Sequence, residues 1–433
     1  MSIKQMISCL FEDEKLLFKF ALVVSALWVV AQIVMIVYFW GYPQYSDMRA
    51  YISMAQRCFT NKEWYPMTED IYSNYIWTPG FINYLILQLH VFGTINFNAV
   101  LNLFLNIAML FEIYWLGKKF FSKRTGLISA IIFCLLFSNL IIVVGANTEN
   151  PFLFLCLSAL CFVFSGKWKY IILAAVLFAF ANWIRPLVII FLFASIVYFV
   201  ITKTKFYNYI ALIIPYILVL FFIGTMTEKK IGYFVYQSTT SGFNLLMTSH
   251  DNANGNWYYI GKDEDHVGFI KNEHLVTFAE KDSIWKTLAI TWIKEHPVRF
   301  TTLFLKKVQL MYFRDYGKKL SHFPERNITI GFMQGNAGSF IKKVLNFKDL
   351  DLYMQSIPYY LAFLFFFYAL WINRKSILSV KSVFIIIFLS GTVISCIVAG
   401  DPRYHYPFLF PVIIYAAWGI DTLIEKLTKK KLG

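Results

Sequence analysis

The chain has 433 residues, of which 58% are hydrophobic, 19% aromatic and only 15% charged, with a formal net charge of +15. This balance excludes an ordinary soluble domain and a disordered chain, because an average globular sequence is about 25% charged. The basic excess does not call for nucleic acid, since much of it lies in short connections between apolar runs, where it marks the cytoplasmic face of a membrane beside anionic lipid.

Apolar runs long enough to cross about 30 Å of hydrocarbon, roughly 17–25 helical residues each, recur along almost the whole chain. They fall at 17–40, 99–117, 127–146, 151–165, 170–184, 187–202, 207–226, 356–372, 382–399 and 407–424. An all-α polytopic membrane protein of about ten transmembrane helices follows. Barrel strands would alternate polar and apolar residues instead. The first run has no small-residue cleavage pattern and reads as a retained anchor.

Lysine and arginine in short connections resist translocation and so set the orientation. With the N-terminus inside, the inner segments carry Lys4, Lys15 and Lys19; Lys118, Lys119, Lys123 and Arg124; Lys167 and Lys169; Lys203 and Lys205; Arg374, Lys375 and Lys381; and Lys426 with Lys429, Lys430 and Lys431. The short outer connections around Asn147 to Asn150, Asn182 to Pro186 and Gly400 to Pro407 hold only Arg185 and Arg403. The expected protein is a multi-pass protein of the inner (plasma) membrane, with both termini cytoplasmic. Its domains are an N-terminal transmembrane module at 1–226, an extracytoplasmic loop domain at 227–355 and C-terminal transmembrane helices at 356–433.

Two outer segments exceed simple connections. The first, 41–98, holds Tyr45-Ser46-Asp47-Met48-Arg49-Ala50-Tyr51 and then Thr78-Pro79-Gly80 before Phe81 to Phe92, a stretch too short to span and suited to a helix lying in the interface. The second contains Ile284 to Lys294 and Pro297 to Arg314, read as two membrane-hugging helices broken at Pro297, with Lys306 and Lys307 as surface lysines meeting lipid phosphate. Six cysteines give no disulfide framework, because only Cys58 is expected outside. No His and Cys spacing supports zinc.

Within the spans the only buried-looking carboxylate is Glu112, a turn or two from Lys118 and Lys119, toward which it can snorkel. The remaining polar groups gather at outer helix ends: Asp47, Glu149 in Asn147-Thr148-Glu149-Asn150-Pro151, Arg185 before Pro186, and Arg403 in Arg403-Tyr404-His405-Tyr406-Pro407. A charge near hydrocarbon is expensive, which makes these candidates for chemistry at a membrane face. Simpler readings stand beside that one: Asp47 and Glu149 as helix caps, Arg185 tying up carbonyls at a helix break, Arg403 snorkelling, and His405 in packing. Trp64, Tyr65, Trp257 and Tyr258 suit an interface belt or sugar stacking.

The order of these features resembles the bacterial members of the dolichyl-phosphate-mannose-protein mannosyltransferase superfamily (glycosyltransferase family 39), which have the GT-C fold and include the lipid A aminoarabinose transferases. The marks are Asp47 with Tyr51, Pro79 before a helix ending in Val91-Phe92-Gly93, and the basic turn Gly117 to Gly126. Further along come Thr148-Glu149-Asn150-Pro151, Arg185-Pro186, Trp292 to Pro297, and Arg403 to Pro407. The resemblance implies a GT-C transmembrane glycosyltransferase that uses a polyprenyl-phosphate sugar donor and a glycan, lipid or protein acceptor on the non-cytoplasmic face. It implies Asp47 as catalytic base, Glu149 as a second acid, and Arg403, Tyr404, Arg185 and Lys306 as donor phosphate ligands. A divalent cation, magnesium or manganese, could bridge Asp47 and Glu149, and the sequence does not require one. Met48 stands where many relatives have a glutamate, and Thr78 where the aminoarabinose enzymes have a lysine, so that donor sugar is not assigned. The alternatives are a lipid-linked oligosaccharide polymerase or ligase, and a transporter or flippase, for which inverted repeats or deep charges are expected.

Overall fold

The structure is a computed structural model that describes residues 13–255, 264–315, 350–374 and 379–432, and it contains no strand among the described residues. Helix α1 (Glu14–Tyr38) begins where the Asp13 carboxylate accepts the amides of Lys15 and Leu16 at 2.8 and 3.3 Å. Those amides have no partner inside the helix, so the side chain supplies one. The first long connection holds α2 (Asp47–Thr60), a 3-10 turn (Thr68–Tyr72) and α3 (Pro79–Phe92). Next come α4 (Phe97–Phe120), α5 (Lys123–Leu135), the short α6 (Phe137–Ile141) with the turn Ile142–Val144, α7 (Glu149–Ser165), α8 (Trp168–Ile184), α9 (Ile189–Ile201) and α10 (Phe206–Ile231). The second long connection contains α11 (Ser241–Leu246), α12 (Phe278–Glu295) and α13 (Pro297–Tyr312). Helices α14 (Leu350–Ile372) and α15 (Ser382–Val398), the turn Pro402–Phe408 and α16 (Phe410–Leu432) close the chain.

The apolar runs expected from the sequence fall on helices, that at 127–146 being divided among α5, α6 and the turn Ile142–Val144. Helices α1, α4 and α10 are long and apolar enough to cross a membrane singly, whereas α7, α8, α9, α15 and the Ser356–Ile372 part of α14 are shorter apolar helices. Two further runs are bent, by 65° between α5 and Phe137–Val144 and by 62° between Pro402–Phe408 and α16. The chain is therefore a helical membrane protein. The bends correct the expectation that 127–146 and 407–424 are continuous spans.

The first bend is held by amides. On α4, Asn98, Asn102 and Asn106 sit one turn apart on one face. Asn98 and Asn102 donate to the Gly145 carbonyl at 3.1 and 3.0 Å, Asn102 also to Val143 at 3.1 Å, and Asn106 to Asn139 at 3.3 Å. Backbone freed by a break must be satisfied inside protein at membrane depth, and this ladder satisfies it. The break turns Asn147, Thr148 and Glu149 into the bundle, where all three are buried.

Helix α3, expected as an interface helix, packs most of its length against the protein while Leu87, Val91 and Phe92 stay exposed. Pro79 to Asn83, Leu85, Ile86, Gln88 and Leu89 are buried, and the helix packs on α2 and α8. Its polar residues are spent inside: Asn83 exchanges hydrogen bonds with the Tyr65 backbone at 2.9 and 2.8 Å, and Gln88 donates to Asn98 at 3.2 Å. Gly80 permits the contact, because a Cβ there would stand 2.7 Å from the Trp183 carbonyl carbon. Glu112 also departs from expectation. Rather than reaching Lys118 or Lys119, it accepts from the Ser158 hydroxyl of α7.

Helices α12 and α13 are separated at Pro297, which takes the first helical position where its missing amide costs nothing. Trp257, Tyr258, Lys4 and Lys375 lie outside the described residues. Tyr65 is buried, its phenol accepting from the Trp77 amide at 3.0 Å, so it has no free face for a ligand.

Candidate functional site

Four connections that are distant in sequence converge at the end of the bundle where α4 begins. Asp47 is the first residue of α2, behind Ser46, whose backbone takes the unusual pair φ 54°, ψ −135°. A side chain at positive φ is strained, and such strain persists only where surrounding contacts hold it. The Asp47 carboxylate does not cap α2, since Ser46 is the cap residue and no side chain bonds the first amides. It turns instead to Arg403, whose Nη1 donates to Asp47 Oδ2 at 2.6 Å.

Arg403 is placed by Asp401, which accepts the Arg403 amide at 2.8 Å at the start of the turn after α15. Its Nε donates to Glu149 Oε1, so one guanidinium bridges the two acids. Arg185 Nη1 meets the same Glu149 oxygen at 2.5 Å and lies 3.4 Å from Thr148 Oγ1. Its plane sits 5.8 Å from the Tyr404 ring centre. Arg185 is fixed from behind, because Thr78, at φ 25°, donates to the Ile184 carbonyl at 2.7 Å. Side-chain exposure separates the roles: 2% for Glu149, 10% for Arg185, 16% for Arg403 and 35% for Asp47. Glu149 anchors the two arginines, and Asp47 is the acid open to a ligand.

Tyr51, one turn after Asp47 on α2, is buried against Trp77 and Phe81 at ring distances of 4.8 and 5.5 Å. Burial pushes its phenol well above the usual range, Arg403 opposes this, and Asp47 and Glu149 add to it. Tyr51 is thus a neutral hydroxyl beside the acids, with no hydrogen-bond partner among the described residues.

The structure brings together Asp47, Glu149, Arg185, Arg403 and Tyr404, and leaves Lys306 apart on the exposed side of α13. Its neighbour Lys307 corrects the reading of both as surface lysines. Lys307 is fully buried and donates to Thr248 Oγ1 at 3.0 Å and to the Ile397 carbonyl at 3.1 Å. His405 is buried between the rings of Tyr312 and Tyr359 with Nδ1 on the Met311 carbonyl, which is a packing role. The asparagine ladder was missed in the sequence, although three asparagines at four-residue spacing on a span were a visible signal.

A magnesium or manganese ion bridging the two acids would have to stand where a guanidinium already holds their oxygens, against its positive charge. Asp47 and Glu149 already share the Arg403 guanidinium, and no group of three or more His, Cys, Asp or Glu is gathered among the described residues.

The sequence matches no protein-family model and no curated protein. Among solved structures, the apo form of the Archaeoglobus fulgidus oligosaccharyltransferase superposes with a TM-score of 0.50 at 12% identity, over 95% of this chain and 51% of that one. The archaeal oligosaccharyltransferase AglB from Archaeoglobus fulgidus, in complex with an inhibitory peptide and a dolichol-phosphate, gives 0.48 at 11% identity with the same coverage of 95% and 51%. The chain spans about half the length of these neighbours. What the apo likeness carries is the fold: the helical arrangement is of the GT-C type, without singling out the mannosyltransferase superfamily.

Proposed function

We propose that this protein is a membrane glycosyltransferase that moves a sugar from a polyprenyl-phosphate donor to an acceptor hydroxyl on the non-cytoplasmic face. The observation that carries this reading is the half-open Asp47 carboxylate, held by Arg403 against an otherwise sealed acid and arginine cluster. Asp47 takes the acceptor proton as the acceptor oxygen attacks the anomeric carbon. The carbon–oxygen bond to phosphate breaks, and the electron pair leaves with the phosphate. A phosphate whose second pKa is about 6 departs without a protonating acid, unlike the alkoxide of glycoside hydrolysis. One base therefore suffices.

Arg403 uses Nε and Nη1 on the acids, which leaves Nη2 for the leaving phosphate, and Arg185 retains Nε and Nη2. Guanidinium edges suit phosphate oxygens and gain strength where water is excluded. Tyr404 holds the Arg185 plane, and the Tyr51 hydroxyl can donate to the same oxygens. Lys306 draws anionic donor from a distance as an exposed charge.

Transfer from a mixed pool of radiolabelled polyprenyl-phosphate sugars tests this in membranes carrying wild type or Asp47→Asn. A loss of about 10²- to 10⁴-fold with intact protein supports the base; undiminished product removes Asp47 from catalysis. The paired Arg185 and Arg403 favour a second reading, transfer of a whole oligosaccharide. Adding lipid-linked oligosaccharides to the donor pool separates the two.

A further inference from the structure

A cavity of about 340 Å³ opens between α1, α2, α3 and α4, at the lower end of the roughly 300–1,000 Å³ of small-ligand sites. Its wall includes Gln44 and Ala146. The first is three residues before Asp47 and the second three before Glu149, so the cavity starts within about 10 Å of either acid along the chain. Gln44 is fixed there by its hydrogen bond to the Val144 carbonyl at 3.2 Å.

Among the described residues no Asp, Glu, Lys, Arg or His lines this cavity, in a chain with 40 lysines and arginines. A phosphate or carboxylate inside it would lose water without gaining a counter-charge. The lining offers amides instead. The side chains of Gln56 and Asn96 line it with no protein partner among the described residues, Gln56 exposed and Asn96 half-buried. Trp40 and Tyr42 add aromatic surface, Trp40 being 46% exposed. Amides that both donate and accept, beside amphipathic rings, match the hydroxyls and C–H faces of a sugar.

We infer that this cavity is the acceptor subsite and that it takes an uncharged carbohydrate, whose terminal hydroxyl reaches Asp47. This rests on the glycosyl-transfer reading, and it excludes a phosphorylated glycan or another charged group as the one held in the cavity. The full chain in lipid nanodiscs is tested with short neutral oligosaccharides of hexose and N-acetylhexosamine, with their phosphorylated counterparts and with a peptide, by saturation-transfer NMR and as acceptors with the labelled donor pool. Neutral oligosaccharides bind and accept, and Gln56→Leu and Asn96→Leu each raise their KM about 3- to 10-fold, more than kcat falls, as expected for one lost hydrogen bond. Preference for the phosphorylated glycan or the peptide, or an unchanged KM in both variants, overturns the inference. Oligosaccharide binding that both variants weaken, in a wild type that transfers nothing, overturns the transfer reading and keeps the cavity as a sugar site.

Discussion

The two ends of α4 each carry an acid and arginine network, and they differ in how completely it is satisfied. At the C-terminal end, Asp421 of α16 accepts from Ser122 Oγ at 2.7 Å, Thr125 Oγ1 at 2.8 Å and the Arg124 guanidinium, with 6% side-chain exposure. Gly117 and Gly126 let α4 and α5 close there, a Cβ on Gly117 standing 2.9 Å from the Gly126 Cα. At the N-terminal end, Asp47 keeps 35% exposure, and among the described residues its second oxygen meets only Ser46 Oγ at 3.3 Å. The backbones of Ser46 and Thr78 are also strained there. Acids of one chemistry thus serve two ends. Where three donors close on a buried carboxylate the network ties helices together, and where one acid stays half-open on strained backbone its carboxylate is left accessible.

The sharpest way to break this contrast is Arg403→Met. It leaves the sealed Glu149 with Arg185 alone and frees Asp47. Breaking a buried ion pair costs about 3–5 kcal/mol, and losing a donor aimed at developing charge costs about 10²- to 10³-fold in kcat. Thermal unfolding and transfer should therefore both fall. Transfer that survives while stability drops would make the open end as structural as the closed one.

Asp421→Asn asks the converse question. It removes the charge that Arg124, Ser122 and Thr125 share, at about 2 kcal/mol for hydrogen bonds to a charged group. The melting temperature should fall while transfer per folded molecule stays at the wild-type level. Lost transfer at unchanged stability would dissolve the division between the two ends.

Much of the open end was legible in the sequence. Asp47, Glu149, Arg185 and Arg403 stand at the ends of apolar runs, where charge is unnecessary for spanning and hence conspicuous. What draws them together was not legible. The run at 127–146 is apolar but for Ser129, Ser138 and Asn139, and its bend rests on partners the run does not reveal: Asn139 turns back to donate to the Phe133 carbonyl, and the facing amides of Asn98, Asn102 and Asn106 take up the freed carbonyls. The burial of α3 was hidden because Asn83 and Gln88 look solvent-facing until their partners at Tyr65 and Asn98 are known. Lys307 read as a surface charge because its acceptors, Thr248 and Ile397, lie far away in the chain.

Lys307 leaves stability unchanged as the pH rises to about 8 and gives the finest test, because it clasps the loop that carries Arg403. Its backbone lies so close to Gly400 that a Cβ there would stand 2.6 Å from the Lys307 Cα, and one turn on, the Met311 carbonyl contacts His405. Burial pushes the Lys307 ammonium down to about 8 from 10.5. Below about pH 8 both folded and unfolded chains carry the proton, and the cost of burying the charge is constant. Between about pH 8 and 10.5 the unfolded chain binds more protons than the folded one, so the stability contribution of Lys307 rises with pH. The slope approaches about 1.4 kcal/mol per pH unit for one proton. Lys307→Met removes that proton from both states. The stability of wild type relative to Lys307→Met should be flat up to about pH 8 and then climb, as read from paired thermal unfolding curves. A difference that stays flat to pH 10 would mean that the ammonium is solvated, and that the Arg403 loop is held by backbone packing alone.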